Sequence, residues 1–149
     1  TRFNIIPEAV QLEGTVRTYD AEVQDTVERR MREILDGGTR AGGGSFELDY
    51  DRITPVTIND LELTARSVPS LVAALGDDNV PTADPWMAGE DFSLFANEVP
   101  GFFYMLGTLA PGTTSGDHHS PTFRADDSAI PVGMRTMAYT LWDYLSAGS

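Results

Sequence analysis

The sequence predicts an α/β fold in two parts, and three observations carry that reading. Apolar residues recur at helical spacing in three stretches, within residues 21–36, 61–75 and 128–145. Phe46, Leu48 and Tyr50 alternate with Glu47, Asp49 and Asp51, the period of two that gives a strand one buried face. Just after that strand, residues 53–58 (ITPVTI) run extended, because Pro55 donates no ladder hydrogen bond and biases Thr54 away from helix. A domain boundary is placed there, with residues 1–54 before it and 55–149 after it.

Residues 4–19 (NIIPEAVQLEGTVRTY) read as one long bulged strand or two short ones, broken at Pro7 and Gly14. Asp20 caps a helix that places Val23, Val27, Met31 and Ile34 on one face. Gly37 and Gly38 end that helix, and residues 40–45 (RAGGGS) form a flexible turn before the strand at 46–50. Strand, helix and strand make half of a small α+β sandwich, and so few strands expose edges whose partners are missing or come from another chain.

Beyond the boundary, Asn59 with Glu62 fits a capping box, and Leu61, Ala65, Val68, Leu71, Val72 and Leu75 form the stripe of the helix it opens. Pro69 predicts a kink or a restart at Val68. Residues 90–99 (EDFSLFANEV) read as a short helix and 101–109 (GFFYMLGTL) as a fully buried strand. Asp127 caps a last helix, with Pro131 tolerated in its first turn and Ile130, Met134, Met137, Leu141 and Leu145 expected in the core.

Composition narrows the function. With 41% apolar and 22% charged residues the chain is globular, and 149 residues suit one ordinary domain or two small ones. No apolar run reaches the roughly 18 residues of a spanning helix, and the first residues lack a signal peptide's charged start, so a cytoplasmic protein with no membrane partner is expected. Acidic residues outnumber basic ones 23 to 10, every basic residue is arginine, and a net charge of −13 argues against nucleic acid as a partner. The absence of cysteine removes disulfides, thiolate metal sites and cysteine nucleophiles, leaving carboxylates, hydroxyls, arginines and two histidines. The opening Thr1 suggests a fragment, a processed product or a trimmed chain.

Among candidate residues, His118 and His119 are the most distinctive. In an extended segment adjacent side chains point to opposite faces, so at most one reaches a given metal ion, and a single ligand or two solvated histidines are both open readings. In GEDFS (89–93), Gly89 permits close approach of a substrate backbone and Glu90 or Asp91 offers an acceptor, while the same residues suit an ordinary helix start. Arg17 in GTVRTYD presents a fork that fits a carboxylate, or pairs with one of many surface acids. Asn4 is a turn or edge residue, or an amide donor to a ligand.

Taken in order, NIIPEAVQLEGTVRTYD, PVTIND, MAGEDFS, VPGFFYMLG and HHSPTFRADDSAI followed by VGMR resemble the C-terminal part of family 20 metallopeptidases. The likeness is closest to the amidohydrolase branch that includes hippurate hydrolase, N-acyl-amino-acid amidohydrolases and indole-acetyl-amino-acid hydrolases. It implies an α/β catalytic domain carrying two divalent ions (Zn, Mn, Ni or Co) and a ferredoxin-like lid that also mediates dimerisation. Residues 1–54 then belong to the lid and 55–149 to the C-terminal part of the catalytic domain, with the remaining ligands and the general base upstream of Thr1. By the same resemblance the His before Ser-Pro-x-Phe, His119, is the metal ligand, and Asn4, Arg17, Gly89 and Glu90 bind substrate.

The implied reaction is metal-assisted hydrolysis of the amide bond of an N-acyl amino acid or small peptide, an upstream Glu passing the water proton to the leaving amine. On this reading no catalytic base lies in the chain, its partner is the N-terminal part of the same enzyme, and a homodimer is an open expectation. The chain alone is expected to be inactive. The alternative is a non-catalytic truncated module for interaction or dimerisation, with vestigial histidines.

Overall fold

The structure, a computed structural model, describes residues 3–147. It divides into two compact units: the chain up to Val56 together with Met87–Gly89, and Thr57–Trp86 together with Glu90 onward.

The first unit is organised on helix α1, Ala21–Gly42. Asp20 caps it as the sequence indicates, its carboxylate accepting from the backbone N–H groups of Glu22 (2.8 Å) and Val23 (3.0 Å). The helix does not stop at Gly37 and Gly38. It continues through both, and Gly43 closes it at φ 70°. Two features carry it past the glycines: Thr39 Oγ1 donates to the Leu35 carbonyl at 2.6 Å, and Arg40 pairs with Asp36 one turn back at 2.6 Å. No residue of α1 is buried, and Val23 and Ile34 of the predicted stripe are more than half exposed.

Side-chain ion pairs lace this unit. Arg52 bridges about one turn of α1, with Nη1 2.6 Å from Asp25 and Nη2 2.6 Å from Glu28, and Arg32 reaches the same Glu28 at 2.9 Å. Hydrogen bonds from Arg52 and then Arg32 hold the Glu28 carboxyl below its ordinary range, and those from Arg29 and Arg30 do the same for Glu33.

The second unit is a pair of packed helices, α2 (Leu61–Leu75) and a later helix, joined by a short 3₁₀ turn at Asp77–Asn79 and by loops. Asp60, not Asn59, caps α2, accepting from the Leu63 N–H at 2.7 Å. Asn59 is used elsewhere: its amide donates to the Phe103 carbonyl and accepts from the Phe103 N–H, both at 2.8 Å. Pro69 does not restart α2, which runs through it without a break. One missing backbone bond is offset by packing of the adjoining Ser67, Ser70, Leu71 and Ala74, which are all buried. The helical segment after Glu90 shrinks to α3, Phe92–Ala96.

The last helix, α4 (Ala129–Ser146), corrects another expectation. Its N-cap position is Ser128, and the Asp126 carboxylate, not Asp127, accepts from the Ser128 N–H at 2.8 Å. Ile130, Met134, Met137, Leu141 and Leu145 are half exposed or more. The face that packs carries small and polar groups: Gly133 lies where an added Cβ would meet Leu106, Thr136 is 1% exposed and hydrogen-bonds Tyr104 at 3.0 Å, and Asp143 accepts from Ser70 at 2.7 Å.

Among the described residues no β-strand forms, so the expected strands at 4–19, 46–50 and 101–109 are extended or irregular backbone and the α/β character is not expressed. A strand is defined by its ladder, and these segments find no neighbour to complete one. The nearest approach is at 101–103, where Gly101 accepts from the Asp60 N–H at 2.9 Å and the Asn59 side chain occupies both backbone groups of Phe103. No helix among the described residues is long and apolar enough to cross a membrane.

Candidate functional site

The two histidines lie in a turn, not in an extended segment. Ser120 N–H donates to the Asp117 carbonyl at 3.1 Å, which closes a four-residue β-turn over residues 117–120 with His119 in third place at φ 64°. That is the arrangement of a type II turn, in which glycine or asparagine is usual at this place. His119 is the only non-glycine residue with positive φ among the described residues. For an L-residue this conformation costs about 1–2 kcal/mol, so the surroundings must hold it.

They do so by hydrogen bonds and by rings. Gly116 N–H donates to the Thr122 carbonyl (3.1 Å), Phe123 N–H to the Ser120 carbonyl (3.1 Å), and Arg124 N–H to Ser115 Oγ (2.7 Å), closing a compact loop from 115 to 124. The His118 ring meets Phe123 edge to face at 5.1 Å between centroids and Trp86 at 5.7 Å. His119, exposed, is presented to solvent from the same turn. Neither Phe123, in the SPTF stretch, nor Trp86, in ADPWM, was singled out by the sequence.

Glu90 lies in this second unit and behaves as a helix-start residue. Its carboxylate accepts from the Phe92 N–H at 3.1 Å and its carbonyl from Ser93 Oγ at 2.6 Å, with Ser93 fully buried. The other three candidates belong to the first unit. Arg17 donates from Nη1 to the Met87 carbonyl, and Gly89 follows two residues later, where an added Cβ would lie 3.4 Å from Thr54 Oγ1. Asn4 sits in an exposed turn. Among the described residues Arg17 makes no ion pair, whereas Arg29, Arg30, Arg32, Arg40 and Arg52 all do. The surface-pair reading of Arg17 therefore has no acid to support it, and the Met87 carbonyl was not foreseeable from spacing.

Among the described residues no group of three His, Asp or Glu side chains comes together to hold a metal ion. These residues do not make a complete metal centre by themselves. The donor chemistry of His119, an exposed imidazole on a hydrogen-bonded turn, fits one ligand of such a centre.

A turn-borne histidine in one unit and an arginine without an ion-pair partner among the described residues in the other do not by themselves define a class, and comparison with known proteins narrows it. The model of peptidase family M20/M25/M40 matches residues 5–143, and the chain belongs to that family. It is 34% identical over 139 residues to the N-acetylcysteine deacetylase of Bacillus subtilis, covering 93% of this chain and 35% of that protein. It is 32% identical to the N-acetyldiaminopimelate deacetylase of Brevibacillus brevis, over 95% of this chain and 37% of that one. It is 28% identical to the IAA-amino acid hydrolase ILR1-like 2 of Arabidopsis thaliana, over 96% of this chain and 33% of that one. The chain thus spans about a third of the length of the curated relatives it matches. No solved structure matches it.

Proposed function

We propose that the chain is part of a metal-dependent amidohydrolase that cleaves the amide bond of N-acyl amino acids or related small substrates. The observation that supports this most is the family match across residues 5–143, with relatives named as deacetylases and as a hydrolase of an amino acid conjugate. In this reading residues 1–54 are lid and 55–149 catalytic domain, both completed by further α/β structure.

The roles of this chain's residues follow from their chemistry. His119 contributes one imidazole donor to a centre of two divalent ions, and its fixed turn sets the direction from which that donor approaches. The chemistry such ions supply is polarisation of the scissile carbonyl and activation of water at neutral pH. Arg17 exchanges the Met87 carbonyl for the substrate carboxylate, an exchange favoured because a charged acceptor makes a hydrogen bond about twice as strong as a neutral one. Asn4 donates its amide to the substrate carbonyl, Gly89 leaves room for the substrate backbone, and Glu90 shapes the start of α3 beside it.

The test is a panel of N-acyl amino acids, hippurate included, given to the full-length protein before and after chelation and on return of Zn, Mn, Ni or Co. Turnover lost on chelation and restored by metal supports the reading. The 149-residue chain alone should turn over none of them. A full-length protein that binds no metal and forms dimers through the lid half would favour the non-catalytic alternative.

A further inference from the structure

We infer that His118 is a positioning residue: its ring, set edge to face between Trp86 and Phe123, holds the 117–120 turn that carries His119, so that position 118 requires an aromatic ring and not an imidazole nitrogen. Three observations converge on it. His119 adopts φ 64°, a conformation uncommon for any residue but glycine. The hydrogen bond that closes the turn, Ser120 N–H to the Asp117 carbonyl at 3.1 Å, is a single bond between a half-buried and an exposed residue. The other restraint on the turn's second residue is ring contact, with centroids 5.1 Å from Phe123 at 89° and 5.7 Å from Trp86 at 82°. Both distances lie in the range where edge-to-face pairs attract beyond the area they bury.

The two contacting rings come from different places. Phe123 follows in the same loop, and its N–H donates to the Ser120 carbonyl, so it reinforces the loop locally. Trp86 arrives from a distant stretch of the chain within the same unit, so its contact ties the turn to a segment outside the loop. Removing the ring at 118 frees the turn's second residue, after which the strained third residue can relax from positive φ and carry the His119 imidazole away from its direction. A phenylalanine at 118 keeps both ring contacts and provides no nitrogen, which separates clasp from ligand.

The metal readout of this inference rests on the ligand role proposed for His119; the readout on the turn does not. In the full-length protein, Co²⁺ titration followed by visible absorption should show His118→Ala and Trp86→Ala each binding about tenfold more weakly than wild type, the usual cost of losing a residue that orients a ligand. His118→Phe should stay within about threefold, and the His118→Ala/Trp86→Ala double variant should be little worse than either single one, because both remove the same contact. Amide hydrogen exchange at Ser120 should accelerate in His118→Ala and not in His118→Phe. If His118→Phe is as damaging as His118→Ala, the nitrogen matters and the inference is overturned. It is equally overturned if His118→Ala leaves Ser120 exchange unchanged. Should His119→Ala bind Co²⁺ like wild type, the ligand reading fails, and the exchange arm still decides the clasp.

Discussion

The two units are held by different physics. In the first, a 22-residue helix buries none of its residues and is laced by exposed arginine–carboxylate pairs. In the second, α2 packs on α4, with a hydrogen bond from Ser70 to Asp143 joining the two helices, and the segment around Tyr104 and Leu106 meets α4 at Thr136 and Gly133. Exposed pairs contribute little stability each, while close packing fixes positions to fractions of an ångström. His119, proposed as a ligand that needs one direction, belongs to the packed unit. Arg17, proposed to trade its partner for substrate, belongs to the loosely held one.

The largest test of that division falls on the histidines. In the full-length protein His119→Ala should lower metal occupancy and turnover by roughly three orders of magnitude or more, since an open metal site loses one of its few protein ligands. His118→Ala should cost far less. Equal losses, read from metal content and steady-state rates, would mean that the two residues act as one ligand pair.

Next comes Arg17. Arg17→Lys should reduce kcat/KM for N-acyl amino acids about ten- to a hundredfold, the equivalent of one charge-assisted contact at ~1.5–3 kcal/mol. An ammonium does not reproduce the fork. The matching amides, which lack the carboxylate, should lose much less, and the same fractional loss on acid and amide would return Arg17 to a structural role on Met87.

Glycines sharpen the comparison at smaller magnitude. A Cβ at Gly101 would lie 2.9 Å from Ala96 Cβ and 3.1 Å from Ala96 Cα, so Gly101→Ala should destabilise the second unit by about 1–3 kcal/mol. In α1 a Cβ at Gly38 meets nothing within 4 Å, and Gly38→Ala should stabilise that helix by about 0.5–1 kcal/mol. Denaturant melts of the two variants should move in opposite directions. A Gly38→Ala protein less stable than wild type would show that α1 needs the freedom its glycines give.

These contrasts also show what the sequence could and could not disclose. All three long helices were legible from 3.6-residue spacing, and Asp20 was legible as a cap, because both are local properties of the chain. Which face of α4 is covered was not: its apolar stripe at Ile130, Met134 and Met137 obeys helical spacing, yet Gly133 and Thr136 make the contact, because burial depends on the shape of the neighbour. The strands failed for the related reason that alternation at Phe46, Leu48 and Tyr50 signals a potential face, while a ladder needs a second strand at hydrogen-bonding distance. In the candidate site, the residue types at Arg17 and His119 were legible. The turn at His119 was not, since spacing alone treated His118 and His119 as extended, and positive φ at a histidine has no sequence signature.

The smallest expected effect concerns acid. Glu28 and Glu33 are held below their ordinary value of 4.5 by arginine hydrogen bonds, Arg52 foremost for Glu28, and Asp126 is lowered by Ser128. A carboxyl whose folded value lies below its unfolded one contributes stability that is fully present above the unfolded value and is lost as pH falls through the folded one. Stability of the first unit should therefore be flat down to about pH 5 and decline below it. Arg52→Gln removes the strongest restraint on Glu28, so the variant should lose a little stability at neutral pH, a small loss because the pairs are exposed and screened, and its decline in acid should be shallower. The measurement is the thermal midpoint against pH for both proteins, at low salt and at about 1 M, where the Debye length shrinks to about 3 Å. The gap between the two curves should be small and present above about pH 5, and should close both as pH falls below it and in high salt. A gap that persists in acid and in salt would show that Arg52 holds α1 by packing of its stem, and the first unit would then resemble the second more closely than its ion pairs suggest.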